Sequence, residues 1–367
     1  MIRRLYVDNY RCLVDFTWEP GPVSLSIGDN GTGKSTAADA VRLIQTWIQG
    51  SERLDDLLAP DILTRWSESR IVRFELDLLL DQRLFEYKVS FEVSRRLSRP
   101  VVKSESLHVS ATAVFTRENE LSLLHGEGHK QEFFVPPPAS ALNVASLLPD
   151  SDAAQEFWEG LELIILLRPL PPLMSGEARR SSTRPSLHFE NFVEWYWRQT
   201  ENVRFSSAMD GLLNLVWEDF DYLRLDPIGT QSRELIAVWG QAPQGREPYA
   251  QRFANLSDGE KMLIALYSVC AYQRAAASTT ILIDEPDNFV TISELQPWLL
   301  KMLNDRPEDG QLCLISHSPE IIQFIGESDI SFFSRDGHSD PVRIGRLPQD
   351  DTGLPLTERF ARGWLSA

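Results

Sequence analysis

Apolar positions along this chain switch repeatedly between a period of two and a period near 3.6. Val23, Leu25 and Ile27 alternate with small polar residues, which predicts a short strand. After Lys34 the apolar residues Ala37, Ala40, Val41, Ile44, Trp47 and Ile48 recur at helical spacing, and Gly50 stops the run. Alternation then returns in Val72, Phe74, Leu76, Leu78 and Leu80, and, after a polar turn at Asp81-Gln82-Arg83, in Phe85, Tyr87, Val89, Phe91 and Val93. Leu107, Val109, Ala113 and Phe115 repeat it, so residues 71–115 read as an antiparallel meander with one buried face.

The texture changes between Pro136 and about Gln251. Prolines at 136–138, 169, 171, 172 and 185 punctuate helical candidates such as Phe189–Gln199 and Met209–Phe220. The stretch reads as an inserted, mostly helical subdomain, and without sustained heptads it holds no long coiled-coil arm. Trp195, Trp197 and Trp217 within it are expected in a core or a subunit interface. The last dozen residues read as a short helix or tail.

Beyond it, Thr279–Ile283 and Leu312–Ile315 are short, continuously apolar runs, as buried parallel strands are. Leu295, Trp298, Leu299, Met302 and Leu303 lie at helical spacing between them, giving a β-α-β unit. The α/β elements thus lie at the two ends of the sequence, 1–50 and 252–335.

No apolar run is long enough for a membrane span, and Arg3 and Arg4 are not followed by the apolar stretch of a secretory signal. Three widely spaced cysteines (Cys12, Cys270 and Cys313), each in an apolar context, read as reduced thiols of a cytoplasmic protein. The net charge of −17 argues against general nucleic-acid binding, which depends on Lys and Arg displacing counterions. Arg95, Arg96, Arg99 and Lys103, or Arg179, Arg180 and Arg184, could still make a local basic patch, though solvated loop charge is the simpler reading.

Candidate chemistry concentrates at strand ends. Gly28-Asp29-Asn30-Gly31-Thr32-Gly33-Lys34-Ser35 joins a strand to a helix, the context in which glycines let backbone N–H groups wrap a polyphosphate over a helix N-terminus. Gly28, Asn30, Gly31, Gly33 and Thr36 belong to that cradle. Lys34 reaches the β- and γ-phosphates, and the Ser35 hydroxyl binds Mg²⁺. Ile281-Leu282-Ile283 delivers Asp284 and Glu285 to a second strand end: Asp284 to hold Mg²⁺, Glu285 to act as general base on water. His317, after Leu314-Ile315-Ser316, stands at a third, suited to sensing the γ-phosphate and orienting water. Leu256-Ser257-Asp258-Gly259-Glu260 opens a further helix, with Ser257 and Glu260 spaced as a capping box. His125-Gly126-Glu127-Gly128-His129 reads as a flexible loop, not a metal site.

The order of these parts (phosphate loop, long insertion, Ser257–Glu260, Asp-Glu strand, His strand) resembles the ABC-type ATPase heads of the RecF, SMC and OLD group. Asn9-Tyr10-Arg11-Cys12-Leu13 is similar to the strand that opens those heads, where an arginine in the place of Arg11 approaches the nucleotide. Asp284-Glu285-Pro286-Asp287-Asn288 is similar to the stretch found in stand-alone bacterial and archaeal members, and Leu166-Leu167-Arg168-Pro169 matches more loosely. Phe289-Val290-Thr291-Ile292 departs from the group's pattern. The resemblance implies an α/β ABC-type P-loop head with a parallel core sheet, an antiparallel β-subdomain and the insertion. It implies ATP and Mg²⁺ as ligands and an ATP-dependent homodimer, in which Ser257 and Gly259 face the γ-phosphate bound by the other copy.

For stand-alone members it also implies a switch controlling a partner protein, of Toprim or other nuclease type, in anti-phage defence or DNA maintenance. The residues after Ile330 are too few for the Toprim domain of OLD proteins, so that activity is expected on a partner. The competing reading is a RecF-like DNA-repair ATPase clamping duplex DNA, which the acidic charge disfavours.

Overall fold

The alternating segments fold into one sheet because each places its apolar residues on the same side. In the computed structural model Val72, Phe74, Leu76 and Leu78 stand opposite Phe91, Val89, Tyr87 and Phe85, and all eight are buried. Asp81 and Gln82 both take positive φ, 43° and 66°, the twist a two-residue hairpin needs. The model describes residues 1–345 and 358 except 94–99, 127–128, 137, 150, 210, 241–247, 277 and 327–328. Arg95, Arg96 and Arg99 and the C-terminal tail apart from residue 358 therefore lie outside the described residues, as do Glu127 and Gly128. The chain divides into two units, residues 1–164 with 327–367, and residues 165–326.

In the first unit the meander is part of an eight-stranded antiparallel sheet, ordered 16–18, 2–8, 71–80, 83–92, 101–109, 112–118, 121–126, 129–134. It runs past Phe115 because the segment around His125 is not a loop: Leu121–Gly126 and His129–Phe134 pair as a hairpin, and His125 Nε2 lies 3.0 Å from Thr116 Oγ1. The last strand is an edge with Phe134 70% exposed, so no buried face left an alternation to read. The helix Lys34–Ile48 buries Ala37, Ala40, Val41, Ile44, Trp47 and Ile48 as the spacing predicts. Trp47 meets Phe91 edge-on at 4.8 Å between ring centroids, and its indole N–H donates to the Pro138 carbonyl at 3.0 Å. Val23–Ile27 pairs in parallel with Ile330–Ser334, whose other edge carries Arg343–Gly345.

One buried carboxylate ties this sheet to the short helix Ala141–Ala145. Glu105 accepts hydrogen bonds from Tyr87 Oη (2.9 Å), Ser140 Oγ (2.6 Å), Ala141 N (2.7 Å) and Leu142 N (3.1 Å), with Arg117 at 3.6 Å. Both charged side chains are sealed from solvent, and burial pushes the Glu105 carboxyl up against the pull of its donors. Truncating Glu105→Ala takes the carboxylate acceptor from Tyr87, Ser140 and Ala141 and the counter-charge from Arg117, whose guanidinium still donates to the Asn119 and Ala139 carbonyls. Urea unfolding is expected to show a loss of about 3–5 kcal/mol. A loss under about 1 kcal/mol would mean that the network contributes only packing.

The second unit contains the β-α-β element. Thr280–Asp284 and Gln311–Ile315 pair in parallel with Asp284 opposite Ile315, so their C-terminal ends are flush. Ile164–Leu167 lies on the other side of Thr280–Asp284. The connecting helix Ile292–Asn304 packs on Asp258–Ala275, and the Trp298 indole donates to the Leu266 carbonyl at 2.9 Å.

The stretch 136–251, expected to be mostly helical, differs. Its first helices, Ala141–Ala145 and Asp152–Glu162, belong to the first unit. In the second unit Phe192–Thr200 is helical close to expectation, but the next helix is Val203–Met209 and Met209–Phe220 is not one. Phe220–Ile228 and Ser232–Trp239 instead form a hairpin, flanked by Glu177–Ala178 and Tyr249–Arg252. Phe220–Ile228 has little buried surface and contains Pro227, which erases the strand signal. The aromatic residues do build a core: Trp195 is fully buried among Phe189, Phe192, Phe205 and Tyr272, and Trp217 packs on Phe220 and Trp239.

Candidate functional site

In the first unit, three glycines of the loop after Val23–Ile27 take positive φ: Gly28 at 146°, Gly31 at 82° and Gly33 at 91°. A Cβ on Gly28 would lie 2.1 Å from the Phe333 carbonyl oxygen, and one on Gly33 2.8 Å from Val342 Cγ2. Only glycine lets the loop pass there. Gly33 precedes the first helical residue, Lys34, with no side-chain cap, so the N–H groups of the first turn, which carries Ser35 and Thr36, face away from any capping side chain. This is the arrangement that binds anions. Lys34 is 5% exposed, and its ammonium donates to the carbonyls of Gly28 and Asp29, both at 2.8 Å. Thr32 Oγ1 donates to the Asp29 carbonyl at 2.8 Å.

Arg11 reaches the same helix from the N-terminal strand region. Its φ is 51°, its guanidinium pairs with Asp39 at 2.6 Å, and it lies 5.1 Å from the Tyr10 ring centre. Burial pushes the Tyr10 hydroxyl up to about 12, so it stays protonated. Asn30 and Gly31 line a hollow of about 220 Å³ together with Arg335, Asp336 and His338. Arg335 donates to the Gly31 carbonyl at 3.4 Å and lies 5.2 Å from the Trp66 ring centre. No sequence signal marked Arg335 or Asp39, since each acts through a contact distant in the chain.

In the second unit the flush strand ends bring Asp284, Glu285, Ser316 and His317 together. Asp284 is 2% exposed. Its Oδ2 accepts from Arg168 Nε and Nη2, both at 2.7 Å, while Oδ1 is buried and has no hydrogen-bond partner among the described residues. Glu285 turns out of the strand with φ 56°, and its N–H donates to the Ile315 carbonyl at 2.8 Å. Its Oε1 lies 4.0 Å from His317 Nε2, and its Oε2 accepts from Asn288 Nδ2 at 2.7 Å. Asp287 accepts from Ser316 Oγ at 2.8 Å, tying this turn to the His317 strand end, and burial pushes its carboxyl up. Asp287 and Ser316 were legible only as neighbours of Glu285 and His317.

Ser257 caps the helix Asp258–Ala275 in the expected box: its Oγ accepts from Glu260 N at 3.3 Å, and Glu260 Oε2 accepts from Ser257 N at 2.8 Å. A Cβ on Gly259 would lie 3.0 Å from the Phe289 carbonyl, so Ser257–Glu260 sits against the turn that follows Glu285. The departure at 289–292 has a local cause there. Thr291 caps the helix Ile292–Asn304 with Glu294, and Phe289 and Ile292 are 46% and 40% exposed.

A buried carboxylate oxygen without a donor suits a hard cation, and Mg²⁺ is held by one or two protein oxygens plus substrate phosphates. The Asp284 carboxylate supplies that kind of donor. Among the described residues no three His, Cys, Asp or Glu side chains cluster as a metal site. The cysteines are free, with burial raising Cys270 and Cys313 to about 12, and no described helix is long and apolar enough to cross a membrane.

Residues 27–323 match the model of the family described as "AAA domain, putative AbiEii toxin, Type IV TA system". Among solved structures, the chain is similar to an SMC head bound to the C-winged helix domain of ScpA. The identity is 15% and the TM-score 0.56, covering 94% of this chain and 97% of that one. It is also similar to an Smc head domain with an extended coiled coil bound to the C-terminal domain of ScpA, derived from Pyrococcus furiosus. Here the identity is 14% and the TM-score 0.53, covering 94% and 96%. No curated protein matches the chain. At these identities the likeness concerns the fold, which is that of an ABC-type, SMC-like P-loop head.

Proposed function

The chain belongs to this AAA-domain family, and from that premise we propose that it binds and hydrolyses ATP and dimerises on it, acting as a switch on a partner protein. The observation that carries the reading is the strand-end group: a buried Asp284 with an unpartnered Oδ1, followed by a half-exposed Glu285 that His317 and Asn288 orient.

Each residue has a task on this reading. The loop N–H groups and Lys34 hold the phosphates, and Gly28, Asn30, Gly31 and Gly33 give the backbone its path. Ser35 and Asp284 would hold Mg²⁺, which when bound neutralises charge on the β- and γ-phosphates. Thr36 borders the phosphates from the helix that follows, and Arg11, paired with Asp39 of that helix, from the segment after the first strand. Glu285 takes the proton from the attacking water, and His317 keeps that carboxylate and the water aligned. Ser257 and the N-terminus of Asp258–Ala275 face the γ-phosphate of a second copy, where the helix dipole favours the anion. Exposed Phe289, whose carbonyl lies against Gly259, gives the turn beside that helix N-terminus apolar surface to cover.

The family description points to toxin–antitoxin systems, which agrees with a defence role and a partner effector, of nuclease type on the resemblance stated above. The net charge of −17 favours a protein partner over direct DNA clamping.

Ser257→Arg tests the arrangement. Phosphate release is expected to fall at least about 10²-fold, the scale of losing a donor to transition-state charge. Binding of a fluorescent ATP analogue to single chains should not change. Full turnover in Ser257→Arg would remove Ser257 from the site.

A further inference from the structure

Asp284 is paired with a side chain that is itself a cation. Its partner, Arg168, follows directly on Ile164–Leu167, the strand beside Thr280–Asp284. Two guanidinium nitrogens converge on Oδ2, each at 2.7 Å. The root of the arginine is fixed, since its N–H donates to the Leu187 carbonyl at 2.7 Å and its carbonyl lies 2.9 Å from His188 Nδ1. Its side chain is 27% exposed against 2% for the carboxylate. The guanidinium thus reaches the buried group from the solvent side on an anchored stem.

The geometry points to Arg168 as an internal stand-in for the divalent cation, holding Asp284 closed to free metal ions until a nucleotide draws the guanidinium away. The inference rests on the ATPase reading above. Its physical basis is that the guanidinium already gives the carboxylate the positive charge and the two close donors that a bound cation would otherwise compensate. A cation entering at Oδ1 would meet a carboxylate whose charge is already compensated and a positive charge a few ångströms away. A polyphosphate changes the balance, because it offers pairs of anionic oxygens that the planar guanidinium binds in two-pronged fashion. Once Arg168 moves to phosphate, Asp284 is left with full charge and two open oxygens. Metal and nucleotide should therefore promote each other's binding through Arg168, with the same factor in both directions.

The test uses Mn²⁺ as probe, followed by electron paramagnetic resonance, and a mant-ATP titration in EDTA and in Mg²⁺. Without nucleotide, Arg168→Gln is expected to bind Mn²⁺ at least about tenfold more tightly than the parent, the scale on which a neighbouring arginine shifts an aspartate. Arg168→Gln/Asp284→Asn should lose that gain. Asp284→Asn alone should bind mant-ATP more tightly in EDTA, because its guanidinium is already released. Asp284→Asn also serves if Arg168→Gln does not fold, as judged by circular dichroism. Equal Mn²⁺ affinity of Arg168→Gln and parent, or unchanged EDTA affinity in Asp284→Asn, overturns the inference. Failure of the parent to bind mant-ATP even with Mg²⁺ overturns the ATPase reading instead.

Discussion

Glu285→Gln is expected to lower ATP turnover by about 10²- to 10⁴-fold while leaving ATP affinity within a few-fold of the parent. The side chain is half exposed, and its two oxygens face different neighbours: Oε1 toward His317 at 4.0 Å, Oε2 accepting from Asn288 at 2.7 Å. Glutamine keeps the shape and can still accept from Asn288, so the turn should persist. It cannot accept a proton, so water activation is lost while phosphate contacts are not. Single-turnover phosphate release beside an equilibrium titration separates the two effects. Loss of binding and turnover together would assign Glu285 to the architecture of the turn, not to the water.

Lys34→Ala is expected to weaken ATP binding by about 10- to 100-fold, the worth of one or two charge-assisted hydrogen bonds. The ammonium is almost fully buried and points at the Gly28 and Asp29 carbonyls, both at 2.8 Å, so the loop is closed around its own cation. Phosphate oxygens would take over those bonds on binding. Removing Lys34 therefore costs the ligand its cation but costs the fold little, since the two carbonyls can turn to water. Thermal unfolding should fall by a few degrees at most, about 1 kcal/mol. A large melting shift with unchanged affinity would make Lys34 a structural tie.

The sequence was most legible where one period runs against one buried face. Residues 72–78 and 85–93 alternate because in each run every second residue is buried, and the helix after Lys34 is read from the same rule at period 3.6. The hairpin 121–134 and the strand Phe220–Ile228 stayed hidden because edge and half-solvated strands have no such face. At the site, residues followed by their own chain context were visible: the glycines and Lys34, Asp284-Glu285, His317, and Ser257 through its capping box. Arg168 was visible only as part of a loose resemblance, because its role lies in a pair with Asp284, made across the sheet and not along the chain. The same holds for Arg335 on Gly31 and for Asp39 on Arg11.

The central claim is that ATP joins two copies through Ser257 of one and the phosphate loop of the other. Light scattering on Glu285→Gln, with and without Mg-ATP, tests it most directly, because slowed hydrolysis holds the ATP-bound form. Monomer mass is expected without nucleotide, a shift toward dimer mass with Mg-ATP, and no shift when Ser257→Arg is added. A mass that ignores Mg-ATP while the nucleotide is bound would contradict it.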